Sequence, residues 1–131
     1  MRLVLSFAAA AAVLLTPLAA HAVTTHSRTV TYNTTMRQTS GPLPSGGVIG
    51  GTMRLTFSSG GIVNGTYRDK MQGGMLTVAG GLTGHDLWLS FGGRGRHQFR
   101  GKVQNNGIVA GTITNWRGPR VYDFTAVPAK S

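Results

Sequence analysis

The sequence predicts an all-β fold: a single eight-stranded antiparallel meander that closes into an up-and-down barrel. Three observations carry this. Apolar and polar residues alternate with period two from Thr29 to Ala126, and no segment there has the 3.6-residue period of an amphipathic helix. Glycine-rich turns interrupt the alternation about every 8–12 residues. Every connection after the first is hairpin-short, as a meander requires. Closure removes the two edges that an open sheet would expose. The open alternative is a two-sheet β-sandwich.

Each element follows from the pattern. Val30, Tyr32 and Met36 alternate with Thr29, Thr31, Thr35 and Arg37 in a first strand, and the Pro/Gly/Ser-rich stretch from Gln38 to Gly47 reads as a loop. Met53, Leu55 and Phe57 face inward on a second strand, which Ser59-Gly60-Gly61 ends. Val63, Gly65 and Tyr67 form one face of a third, and a turn is expected from Asp69 to Gly74. Leu76 and Val78 face inward on a fourth, predicted to end at Gly80-Gly81. Leu87, Leu89 and Phe91 define the fifth, with Trp88 and Ser90 on its other face. His97, Phe99, Gly101 and Val103 alternate with Arg96, Gln98, Arg100 and Lys102 on the sixth. Asn105-Asn106-Gly107 predicts a type I′ hairpin, because Asn-Gly suits two positive φ angles. Val109, Gly111 and Ile113 line the seventh strand, and Tyr122, Phe124 and Ala126 the eighth. The segments starting at Gly61 and Gly107 echo one another: a turn glycine, two apolar residues, then Gly-Thr in mid-strand. Glycine inside a strand marks a bend or a close backbone approach.

Residues 1–22 read as a secretory signal peptide. Arg2 begins it, an apolar run from Leu3 to Leu15 follows, Pro17 ends the run, and Ala20-His21-Ala22 is a small-x-small cleavage site. The run is shorter than the roughly 20 apolar residues of a transmembrane helix, so no transmembrane insertion is expected. Cleavage after Ala22 leaves one domain, residues 23–131, in the periplasm or outside the cell. That domain keeps 12 of the 13 basic residues and all three Asp, a formal charge of +9. An outer-membrane barrel would present an apolar band outward on strands of about 9–11 residues. The outward positions here carry Arg54, Arg96, Arg100, Lys102 and many Thr, and the predicted strands are short.

The third strand, residues 61–67, and the preceding Phe57-Ser58-Ser59-Gly60 turn resemble the second hairpin of avidin-type barrels, in the calycin group with the lipocalins. The local similarity spans residues 51–67, and the rest of the chain shares only the architecture. The resemblance implies the eight-stranded fold. It does not extend to biotin: that family lines its barrel mouth with several tryptophans, and here only Trp88 and Trp116 exist, both on predicted outward faces.

Chemistry concentrates in a basic stripe. Arg96, Arg100 and Lys102 share the outer face of the sixth strand, Arg94 extends the row into a turn, and Arg117 and Arg120 lie in a later turn beside Trp116. With Trp88 these residues form the candidate ligand-binding set, because basic groups interleaved with exposed aromatics suit polyanions. The expected partner is an anionic envelope polymer or a small anionic or amphipathic ligand; the alternative is an envelope protein, the barrel then serving as an inhibitor or assembly factor. Export argues against nucleic acid. Catalysis is not expected. There is no Cys, no Glu, no Gly-x-Ser-x-Gly, and no facing pair of carboxylates. His97 and Asp123 fall on opposite faces of their strands, so they do not form a base with its orienter. His26, His85 and His97 lack metal-ligand spacing, and neither metal nor cofactor is expected.

Overall fold

The computed structural model describes residues 26–40, 48–70, 74–92, 97–114 and 120–130, and the expected leader lies outside them. The strands are β1 (Ser27–Ser40), β2 (Val48–Ser58), β3 (Ile62–Asp69), β4 (Met75–Thr83), β5 (Asp86–Phe91), β6 (His97–Val103), β7 (Val109–Thr114) and β8 (Val121–Pro128). Each pairs antiparallel with its neighbours in sequence, and β1 also pairs with β8, from Tyr32 opposite Pro128 to Ser40 opposite Val121. That last ladder closes the barrel and excludes the sandwich. The closed eight-stranded antiparallel barrel is consistent with a calycin-like fold.

The inward faces are those that the alternation predicts. Tyr32, Met36, Met53, Leu55, Val63, Tyr67, Val78, Leu87, Leu89, Phe91, Phe99, Val109, Ile113, Tyr122, Phe124 and Ala126 are buried together, with Leu76 and Val103 half-buried against them. Eight strands leave a lumen just wide enough for side chains to fill, and here aromatic rings fill it. Phe124 from β8 meets Tyr67 of β3 at 6.3 Å, Phe91 of β5 at 6.1 Å and Phe99 of β6 at 5.4 Å between ring centroids. Tyr67 also stands edge-on to Phe91 at 5.4 Å. These tilted contacts set the positive edge of one ring against the negative face of another, each worth about 0.5–1.5 kcal/mol beyond its burial.

The mid-strand glycines are required by the coiling of the sheet. A Cβ on Gly65 would run into the Arg54 carbonyl oxygen of β2, and one on Gly111 into the Arg100 carbonyl oxygen of β6. The Phe99 ring occupies the remaining space, 2.8 Å from where the Gly111 Cβ would stand. The two echoed Gly-Thr segments therefore solve the same problem on β3 and β7, the close backbone approach expected there.

Five local expectations are corrected. β1 continues through Ser40 instead of giving way to a loop at Gln38: pairing with β8 carries it on, with a bulge between Gln38 and Ser40 and a hydrogen bond from Thr39 Oγ1 to the Val121 carbonyl at 3.2 Å. Asp69 belongs to β3, buried and opposite Gly51, instead of opening a turn. β4 passes through Gly80-Gly81 to Thr83, since Gly80 packs against the Leu89 backbone and Gly81 lies under the Trp88 indole. The β6–β7 hairpin closes around three residues, with Gly107 N–H donating to the Gln104 carbonyl at 2.9 Å and Gln104 N–H to that of Ile108 at 2.8 Å. This is the bulged three-residue loop, which takes its positive φ at Gly107, 88°. At 14 and 11 residues, β1 and β2 are also longer than the short strands expected, yet their outward positions remain mostly Thr and Arg.

Candidate functional site

The outer wall is a set of cross-strand rows that the register fixes. One row runs from Trp88 on β5 to Arg100 on β6, Thr112 on β7, Asp123 on β8 and Arg37 on β1. Trp88 and Arg100 stand directly opposite one another on neighbouring strands, and both are exposed. The Trp88 indole lies over Gly81, its Nε1 2.8 Å from where a Cβ would stand. A side chain at position 81 would lift the ring off the sheet. Ile62, opposite Gly81, is more than half exposed, so the indole sits between an aliphatic neighbour and a guanidinium.

The next row pairs Lys102 with Asp86, whose side chains form an exposed ion pair at 2.5 Å. The hydrogen bond from Lys102, and then its charge, hold the Asp86 carboxyl below the ordinary aspartate range. Lys102 therefore shares its charge with an internal partner, while Arg100 faces Trp88 and Thr112. Arg120 is half-buried just ahead of β8. Of the sequence-predicted set, the register brings Trp88, Arg100 and Lys102 together on one face. Arg94, Arg96, Trp116 and Arg117 lie outside the described residues.

A second basic feature escaped the sequence reading. On the wall of β1–β4, Thr31, Thr52, Arg54, Thr66, Arg68 and Met75 line an open groove of about 480 Å³. Arg54 lies between Thr31 and Thr66, and Arg68 between Thr52 and Met75. Lys70 crosses Gly50 beyond them, with Cδ 3.6 Å from the Cβ position. In sequence these cations are scattered singly over two strands, and only the β2–β3 register makes them neighbours. The spacing of Arg54 and Arg68 about the Ser59-Gly60-Gly61 turn was the available signal.

The histidines remain apart from both features. His97 is half-buried on the inward row opposite Phe91, while Asp123 is exposed on the outer wall. His85 Nδ1 donates to the Val103 carbonyl at 2.8 Å, tying the β4–β5 turn to β6. Among the described residues no three His or Asp side chains gather as a metal set, and no helix is long and apolar enough to cross a membrane. Comparison of the chain with protein-family models, with curated proteins and with solved structures gives no match.

Proposed function

We propose that this chain is an exported, non-enzymatic binding protein that holds an anionic ligand, an acidic envelope polymer foremost, on the outer wall of its barrel. The observation that carries the reading is the pairing of Trp88 with Arg100 on a lumen-filled barrel. Among the described residues the aromatic core fills the lumen, which favours the wall as the surface for recognition. An exposed indole offers a face for a ring or an aliphatic segment, and the adjacent guanidinium offers a planar donor fork for the acid group. The excess of cations over carboxylates attracts such a polymer from a distance.

A second reading has an observation of its own. Ile62 and Trp88 are both exposed beside Gly81, the kind of small apolar patch on which an envelope protein can dock. Heparin chromatography and salt-dependent affinity separate the two. On the polymer reading, Arg100→Gln weakens heparin binding by about fivefold, the scale of roughly 1 kcal/mol for an exposed charge contact. Lys102→Gln weakens it less, because Asp86 already engages that ammonium. Affinity falls steeply with salt as counterions are released. Equal losses for Arg100→Gln and a charge-matched Arg28→Gln control would mean that only net charge matters, and the Trp88–Arg100 pair would lose its role.

A further inference from the structure

We infer that the groove on the β1–β4 wall is an anion site in its own right, built for two tetrahedral oxyanion groups, phosphate or sulfate, carried on one molecule. It uses none of the residues of the Trp88–Arg100 row and stands independently of it.

The argument begins with the chain's carboxylates. There are three acidic side chains in the entire sequence and all three are described: Asp69 is buried inside the barrel, Asp86 is paired with Lys102, and Asp123 lies on the β8 wall opposite Thr112 and Arg37. The remaining segments contain no Asp or Glu. No side-chain carboxylate of this protein can therefore neutralise Arg54 or Arg68. Among the described residues neither guanidinium is engaged in an ion pair or side-chain hydrogen bond.

The echo between β3 and β7 sharpens the point. The same offset separates Gly61 from Gly107, Gly65 from Gly111, Thr66 from Thr112 and Arg54 from Arg100. The register repeats as well: Arg54 stands opposite Thr66 as Arg100 stands opposite Thr112. The barrel thus presents the same Arg–Thr pair twice, and the flanks differ. Around Arg100 they are Trp88 and Asp123; around Arg54 and Thr66 they are Thr31 and Thr77. One copy has an indole and a carboxylate, and the other has only hydroxyls. A carboxylate beside the pair competes with an incoming anion, whereas a threonine hydroxyl donates to it.

The geometry selects the ligand class. Arg54 and Arg68 are diagonal neighbours across the β2–β3 ladder, a separation of about 7–8 Å between backbone positions. Each guanidinium offers a fork of donors suited to a bidentate oxyanion. Thr52 and Thr66 complete the square with the two arginines, Thr31 flanks Arg54 on β1, and all three line the groove, so their hydroxyls supply further donors. A tetrahedral oxyanion accepts from several directions at once and can use the hydroxyls along with the fork. Two arginines at this spacing take two such groups, and Lys70 continues the basic track at one end.

The test is an NMR titration of the isotope-labelled protein with linear tripolyphosphate, repeated with a heparin tetrasaccharide. Saturable shifts are expected at Thr52, Arg54, Thr66 and Arg68. The tighter of the two probes identifies phosphate or sulfate as the source. Arg54→Gln with Arg68→Gln should weaken the tighter probe by about tenfold or more, the scale of losing two charge-assisted contacts at an exposed site. Arg54→Lys with Arg68→Lys keeps the charge and loses the forks, and should fall between. Arg28→Gln, which removes an exposed charge outside the groove and outside the Trp88–Arg100 row, should leave this binding within about twofold. The inference is overturned by non-saturating shifts with both probes, by a double Gln variant that binds like its parent, or by a double Lys variant with undiminished affinity. Unchanged amide spectra away from the groove would confirm that the variants are folded.

Discussion

Tyr32 illustrates how burial sets chemistry at a single residue. It lies inside the wall of β1 at 2% exposure. Burial disfavours the phenolate and raises its pKa above the ordinary tyrosine value, and the charge of Arg28 only partly opposes this. The folded state therefore holds the phenolic proton more tightly than the unfolded chain does. The stability associated with this is fully present below about pH 10, the unfolded tyrosine value, and is lost as pH rises through the folded value. Chemical denaturation between pH 9 and roughly 11.5 should show a steeper alkaline loss for the parent than for Tyr32→Phe. Parallel curves would mean that the ring titrates as it would in water. Arg28 contributes by another route at the same end of the sheet, its guanidinium 5.6 Å from the centre of the Phe57 ring.

At the scale of strands, the inward faces were legible because side chains alternate with period two, so a single buried tyrosine or leucine fixes the face of its whole strand. What alternation does not encode is where pairing stops. Gly80 and Gly81 read as a strand end, yet the chain pairs straight through them because Leu89 and Trp88 need the space above and below. Cross-strand register was equally hidden. The stripe on β6 was visible since its cations share one strand, while the Arg54–Arg68 groove spans two. The echoed glycines on β3 and β7 were legible as close approaches, and they carry a sharp consequence. Gly65→Ala places a methyl group against the Arg54 carbonyl, an obstacle of backbone and not of a mobile side chain. It should cost at least about 3 kcal/mol, the upper end for overpacking. Gly74→Ala, where open space surrounds the position, should cost less than about 0.5 kcal/mol. Equal midpoints in urea for the two variants would contradict the packing described for β2 and β3.

For the whole molecule, the division of labour runs between lumen and wall. An eight-stranded barrel that binds a ligand inside needs a lumen with room. Here Tyr67 of β3, Phe91 of β5 and Phe99 of β6 converge on Phe124 of β8, and the four rings occupy the centre. On the proposed binding reading, recognition falls to the outer surface, on which cations outnumber carboxylates and every carboxylate is buried or lies on the β5–β8 half. The central claim is therefore that ligand meets the wall and leaves the lumen undisturbed. Its most direct test is a heparin-fragment titration followed at once by backbone amides and by aromatic side-chain resonances. The account predicts saturable shifts along the outward rows through Arg100 and Arg54, with the Tyr67, Phe91, Phe99 and Phe124 rings unmoved. Shifts concentrated on those rings, with the outward rows silent, would place the ligand inside the barrel and contradict it.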